Sequence, residues 1–255
     1  MIQNKDCLEY LKTLKGESVD LVLTDPPYFI GFDGGKGWDK QWKSEDEYLD
    51  WCKVWTVECA RVLKPERMMV IWGTLKTDTF LRHKLEILNK IPDLYSQNEI
   101  VWSYNWGGRQ KKNFARKHEY AWCYSKGKEF LFNADDVRVE RKVKKNLRTG
   151  KEHEKGTIPT CVWEKNNHTT SKEYCGWHPT TKNIELLERI IKAYTNPGDT
   201  VLDIFMGSGS TIIACNNTGR FGKGCELDSE YYEKSLIRIK EIERMIDPLK
   251  LFWEG

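Results

Sequence analysis

Val201-Leu202-Asp203-Ile204-Phe205-Met206-Gly207-Ser208-Gly209-Ser210-Thr211 reads as a buried strand, a glycine turn and the first turn of a helix. Glycine has no Cβ, so Gly207 and Gly209 let the backbone turn sharply at the strand end and approach a ligand closely. The helix that follows opens on free N–H groups, which favour an anionic group in front of them. Glu226 ends the next apolar strand, Lys223 to Leu227, 19 residues after Gly207. An acid at that place, about 20 residues on, accepts the two hydroxyls of a ribose in a doubly wound parallel sheet. The stretch therefore predicts an α/β chain with a mostly parallel sheet and helices on both faces.

A dinucleotide and a nucleoside such as S-adenosylmethionine both fit this turn. Ile212 stands where the longer pyrophosphate fingerprint carries its third glycine, which favours the methyl donor. The candidate cofactor contacts around the turn are Asp203, Phe205, Gly207, Ser208, Gly209 and Ser210, with Thr211, Glu226 and Leu227 beyond them.

A second strand, Val19 to Thr24, runs directly into Asp25-Pro26-Pro27-Tyr28. The two prolines cannot continue a central strand, and they fix the backbone so that a carbonyl faces a pocket. In an exocyclic amine the nitrogen lone pair is delocalised into the ring. Two acceptors on its hydrogens, the Asp25 carboxylate and the Pro26 carbonyl, favour a pyramidal nitrogen whose lone pair is aimed at an electrophilic methyl. Tyr28 is placed to stack on the base; such stacking is worth roughly 1 to 3 kcal/mol, comparable to the cost of taking a nucleotide out of a duplex. Asp25, Pro26, Pro27 and Tyr28 are the candidate catalytic residues.

Downstream, Phe29 to Lys43 holds Gly31, Gly34, Gly35, Gly37, Trp38 and Trp42 without a helix or strand pattern. Loops of this length in compact domains are usually functional, and this one is expected to close over a substrate.

Outward from these two motifs the alternation continues. Helices are expected from Leu8 to Leu14, Ser44 to Leu63, Leu75 to Asn89, Ile184 to Tyr194 and Ser229 to Met245. Further strands are expected at Met68 to Trp72, Glu99 to Tyr104 and Tyr120 to Tyr124. Pro197-Gly198-Asp199 reads as a turn. From Phe132 to Trp177 the pattern gives way to polar, basic sequence, read as a segment inserted into one catalytic domain that spans residues 1–255.

The chain has 255 residues, 41 of them Lys or Arg and 38 Asp or Glu. Gly107 to Lys155 holds 15 basic against 7 acidic residues, so a basic segment is set in a net acidic body. The eight cysteines form no Cys-x-x-Cys pair and no secretory leader precedes them, which points to reduced thiols in an intracellular, cytoplasmic or nucleoid-associated protein. No apolar run approaches the roughly 18 residues of a membrane span. Cys161, His168, Cys175 and His178 lack the short paired spacings of structural zinc sites, so no metal is expected.

These motifs, in this order, resemble the β group of DNA amino-methyltransferases, and the resemblance covers nearly the whole chain. Asp25 to Tyr28 is similar to the adenine-N6 form of the catalytic tetrapeptide and Phe205-x-Gly207-x-Gly209 to the cofactor motif. The resemblance implies a Rossmann-like fold and direct methyl transfer from S-adenosylmethionine to adenine N6 of a flipped base in DNA. It leaves cytosine N4, an RNA substrate and a catalytically silent DNA-binding subunit as alternatives. It also implies that Asp6 and Cys7 lie near the cofactor adenine, and that Thr180 and Lys182 of His178-Pro179-Thr180-Thr181-Lys182 lie near the methionine carboxylate. Asn183 and Ile204 stand where that family commonly has proline. His118-Glu119 resembles a family pair before a buried strand and is given a structural role. DNA contacts are expected from Trp38, from Arg109, Lys111, Lys112 and Arg116, and from the inserted segment through Arg141, Lys144, Lys145, Asn166 and His168. A homodimer and a companion restriction endonuclease are further partners that the resemblance admits.

Overall fold

The computed structural model describes residues 2–105, 110–140, 156–165 and 175–246. In chain order the strands are β1 Ile2–Asn4, β2 Val19–Thr24, β3 Leu63–Gly73, β4 Leu94–Ser103, β5 His118–Lys126, β6 Val162–Glu164, β7 Thr200–Asp203 and β8 Phe221–Glu226. The α-helices are α1 Cys7–Lys12, α2 Glu45–Val62, α3 Thr79–Arg82, α4 Ile184–Tyr194, α5 Ser210–Asn217 and α6 Ser229–Ile246. The strands form one sheet in the order β1-β8-β7-β2-β3-β5-β4-β6. Pairing is parallel except at β5, which runs antiparallel to both β3 and β4.

Alternation along the central strands sends side chains to two cores. Val22, Met69 and Ile71 pack with Tyr10, Leu11, Cys52 and Trp55 of α1 and α2. Leu21, Leu23, Met68 and Val70 pack with Leu187, Ile191, Ile213 and Ile239 of α4, α5 and α6. Every residue of β2 is buried, as a parallel strand covered on both faces requires. From β2 the chain crosses by α2 to β3 on one side, and from β7 it crosses by α5 to β8 on the other. The crevice at the carboxyl ends of the neighbours β2 and β7 is therefore a topological switch point, where doubly wound sheets bind ligands.

Most elements fall where the hydrophobic pattern places them; the differences have local causes. β3 begins at Leu63 because a bulge containing Pro65 and the left-handed Glu66 (φ 61°) precedes the regular pairing from Met68. β4 reaches back to Leu94, ahead of the expected Glu99, and Tyr95 to Glu99 are all exposed, so no apolar alternation marks them in the sequence. The helix expected from Leu75 to Asn89 is a correction. α3 covers one turn, a π-helical turn follows at His83–Ile87 and a 3₁₀ turn at Leu88–Lys90 before Pro92. The widened turn carries His83 into the core, where its Nε2 lies 2.9 Å from Thr56 Oγ1 and burial pushes its pKa down to about 3. Within the stretch read as inserted, Val162–Glu164 joins the sheet beside β4.

Candidate active site

Asp25 to Tyr28 leave the sheet at the end of β2, and the backbone around them is held on every side. The Tyr48 hydroxyl of α2 donates to the Pro27 carbonyl at 2.7 Å, and its ring stacks on Phe29 at 5.3 Å. Phe29 is left-handed (φ 56°), and Asp39 holds the turn by accepting from the N–H groups of Phe29, Ile30 and Phe32 at 2.6, 2.8 and 3.1 Å. Asp33 accepts from Gly35 and Gly37 in the same way. The glycine-rich loop thus carries its own hydrogen-bond spine, with both carboxylates buried.

Four side chains from three places in the sequence, Asp25 and Tyr28, Glu119, and Lys182, converge at the tetrapeptide. Tyr28 donates its hydroxyl to Asp25 Oδ1 at 2.5 Å, and the Lys182 ammonium donates to Asp25 Oδ2 at 2.6 Å. Glu119, on β5, presents Oε2 2.9 Å from Lys182 Nζ and 3.2 Å from the Tyr28 hydroxyl. Burial raises the Asp25 pKa in spite of Lys182, and Glu119 adds to the rise. Burial works against the Lys182 ammonium, but Asp25 and Glu119 outweigh it and hold it charged. Burial and then Asp25 keep Tyr28 well above the usual phenol range, so its proton stays on. The Lys182 cation lies 5.5 and 5.6 Å from the ring centres of Tyr28 and Trp72. Trp72 is buried, and its indole N–H has no partner among the described residues.

Across the crevice, Asp203 at the end of β7 accepts from Thr24 at 2.8 Å, Thr211 at 2.6 Å and the Phe205 N–H at 3.1 Å. It therefore ties the tetrapeptide strand to the glycine turn, and burial lifts its pKa to about 6. Gly207 is left-handed (φ 50°), and a Cβ there would lie 2.7 Å from His178 Nε2. Glu226 accepts from the Gly207 and Asp228 N–H groups at 2.8 and 2.9 Å. His178 is packed against Trp177 and Tyr231, and burial lowers its pKa to about 4, so it is neutral.

A cavity of about 160 Å³ joins the two halves, far more than a single water needs. Every residue expected to hold a cofactor lines it except Gly209: Asp6, Cys7, Asp25, Thr180, Lys182, Asp203, Phe205, Gly207, Ser208, Ser210, Thr211, Glu226 and Leu227. All four tetrapeptide residues line it too. Asp6 caps α1, accepting from Leu8 and Glu9. Lys182, expected beside a methionine carboxylate, lines the cavity and is paired with Asp25 and Glu119. Asn183 caps α4 by accepting from the Leu186 N–H at 3.1 Å, a bond that proline's ring could not supply.

Of the residues expected to meet DNA, Trp38 lines the cavity. Lys111, Lys112 and Arg116 are exposed on the β4–β5 loop, and Arg116 donates to the Leu75 carbonyl. Arg109, Arg141, Lys144, Lys145, Asn166 and His168 lie outside the described residues. Sequence reasoning missed Tyr48, Trp51, Trp72 and Asp39, which read as helix, strand or loop residues, and it assigned Glu119 no chemistry. It also missed Phe114, an aromatic 95% exposed in the β4–β5 loop; its place between Lys112 and Arg116 is the signal that was available.

The DNA methylase family model matches residues 19–237. The chain is 36% identical over 247 residues to the DNA adenine methyltransferase YhdJ of Escherichia coli (strain K12), with 92% of this chain and 80% of that protein covered. It is 33% identical over 239 residues to the type II methyltransferase M.HpaI of Haemophilus parainfluenzae, covering 92% and 72%. Among solved structures, the PvuII cytosine-N4-specific DNA methyltransferase matches with a TM-score of 0.74 at 20% identity, over 96% of this chain and 92% of that one. The complex of M1.HpyAVI with S-adenosylmethionine matches with a TM-score of 0.61 at 27% identity, over 93% and 98%.

Proposed function

The chain belongs to the family of DNA methylases, and on that premise we propose that it transfers a methyl group from S-adenosylmethionine to adenine N6 of a base flipped out of DNA. The observation that carries the reading is the single cavity in which the Asp25 to Tyr28 tetrapeptide faces the Gly207 turn. The methyl donor fits that turn. Gly207 leaves backbone where a side chain would strike His178, Glu226 ends β8 at the cavity, and Asp6 and Cys7 line it too. When bound, S-adenosylmethionine supplies an electrophilic methyl group.

The protein's part is orientation and charge. Asp25 and the Pro26 carbonyl accept the two amine hydrogens, which aims the nitrogen lone pair along the line of displacement. With the donor bound, the N–C bond would form as the donor's C–S bond breaks, and Asp25 or water would take the proton from the amine as positive charge develops there. The buried carboxylates stand where that charge develops, and in a water-poor cavity such charges act strongly. Tyr28 and Trp72 supply the aromatic walls for a flat base. The Asp-first tetrapeptide and the likeness to YhdJ support adenine; the likeness to the cytosine-N4 enzyme shows the shared fold.

Residues 132–177 are proposed to read the DNA sequence, with Lys111, Lys112 and Arg116 on phosphates. The type II name of M.HpaI extends the proposal to a companion restriction endonuclease. The homodimer and a cytoplasmic location stand with it. Among the described residues no helix is long and apolar enough to cross a membrane.

Asp25→Ala is the test at the site. Labelled methyl transfer to DNA is expected to fall by at least about 1,000-fold, the upper end for one removed electrostatic group, while S-adenosylmethionine affinity changes by less than about threefold. Lost cofactor affinity with unchanged turnover would overturn the assignment.

A further inference from the structure

We propose that Glu119 is the acceptor that takes over Lys182 and Tyr28 when the target amine reaches Asp25. The inference rests on the reading of the cavity as a methyl-transfer site. In the structure both oxygens of Asp25 already hold a donor from the protein itself: the Tyr28 hydroxyl is on Oδ1 at 2.5 Å and the Lys182 ammonium on Oδ2 at 2.6 Å. An ammonium in direct contact drains the acceptor strength that the amine hydrogens need. The amine therefore has to displace these donors or share a weakened acceptor with them.

Lys182 cannot simply be released. Its side chain is 8% exposed, and a charge left without a partner in such a place is strongly unfavourable. Glu119 meets that requirement in advance. Its Oε2 is within 2.9 Å of the Lys182 nitrogen and 3.2 Å of the Tyr28 hydroxyl, so one oxygen already touches both donors. The two donors lie between two carboxylates and can change which one they favour without leaving the cluster. Glu119 comes from β5, at Trp102's partner position in the β4–β5 ladder, whereas Asp25 sits past the end of β2. Its position is thus fixed independently of the tetrapeptide.

Charge supports the same role. Two carboxyl groups face one ammonium here, so acidic groups outnumber basic ones where the amine becomes positive. The titratable groups facing Asp25 are Lys182, Glu119 and Tyr28, with Asp203, Tyr48 and Tyr104 further round it. Glu119 touches the donors to Asp25, so it is a positioning residue. The direction of its effect is opposite to that of Lys182: its charge raises the Asp25 pKa.

The test measures methyl transfer to DNA by the wild type and by Glu119→Gln, with kcat, KM for DNA, S-adenosylmethionine affinity, thermal unfolding and a pH profile of kcat. Glu119→Gln is expected to lower kcat by about 100-fold, to leave cofactor affinity and the unfolding temperature unchanged, and to move the acid limb of the profile to lower pH. A glutamate that only holds the fold would lower the unfolding temperature rather than kcat at unchanged stability and cofactor affinity. Unchanged kcat and profile in Glu119→Gln, with an active wild type, overturn this inference and spare the site. A wild type that binds S-adenosylmethionine but methylates no DNA overturns the site reading and the inference with it. Should Glu119→Gln fail to fold, Glu119→Asp decides. Its shorter arm draws the acceptor away from both donors, so a lowered kcat at unchanged cofactor affinity is expected and wild-type kcat contradicts the proposal.

Discussion

His178 and Asp203 line the same cavity and respond to acid in opposite senses. Burial moves Asp203 from 3.8 to about 6, so the folded protein keeps that proton to higher pH than the unfolded chain. Its contribution to stability therefore falls as pH rises from about 4 to about 6. Burial moves His178 from 6.5 to about 4, so the unfolded chain takes the proton first as pH drops. Its contribution is complete above 6.5 and is lost toward 4. Each shift amounts to about 3 kcal/mol at full extent, and in the wild type the two offset one another. Urea unfolding at pH 4, 5 and 6 is expected to show Asp203→Asn gaining stability relative to wild type as pH rises, and His178→Gln losing it. Two flat differences would contradict the burial of these groups. At this scale Asp25 and Gly207 were legible, because proline pairs and glycine turns carry their geometry in the residue type. The pairing of Lys182 with Asp25 was not legible, because the two are 157 residues apart and no periodicity reports a contact of that kind. Asp39 was invisible for the same reason, since three backbone N–H groups converging on a loop carboxylate leave no pattern in the chain.

The elements place these residues. β2 and β7 were readable because both are short, apolar and followed by turn residues, and their shared edge follows from the fold class. Asp203 then locks the two strand ends together through Thr24 and Thr211. The stretch Leu75 to Asn89 defeated the pattern because π and 3₁₀ turns repeat at intervals other than 3.6 residues. The β4–β5 loop is the element whose role went unread. The Tyr104 N–H closes its base on the Lys117 carbonyl, and Ser103 pairs with His118, the neighbour of Glu119. Its tip carries Phe114 with Lys111, Lys112 and Arg116. An exposed aromatic among cations, on the loop that leads into the strand carrying Glu119, is proposed to fill the gap that a flipped nucleotide leaves. Phe114→Ala is expected to weaken binding to paired duplex about tenfold, within the range of one stacking contact, with a smaller effect on a duplex already mismatched at the target. S-adenosylmethionine affinity should not move. Equal binding of both duplexes by wild type and variant would remove Phe114 from the interface.

For the whole molecule, the balance of 41 basic and 38 acidic residues conceals a basic stretch from Gly107 to Lys155 that follows the catalytic half in sequence. Its described part, residues 110–140, includes the loop that leads into β5, whose start pairs with the carboxyl end of β3, two strands from the end of β7 in the sheet order. The reaction itself is read most directly by incubating the protein with labelled S-adenosylmethionine and unmethylated duplex DNA, digesting the DNA fully and identifying the modified nucleoside by mass spectrometry. N6-methyladenine is the expected product. N4-methylcytosine would contradict the assigned base, and unmodified DNA from protein that still binds S-adenosylmethionine would contradict the assignment of the cavity to DNA methylation.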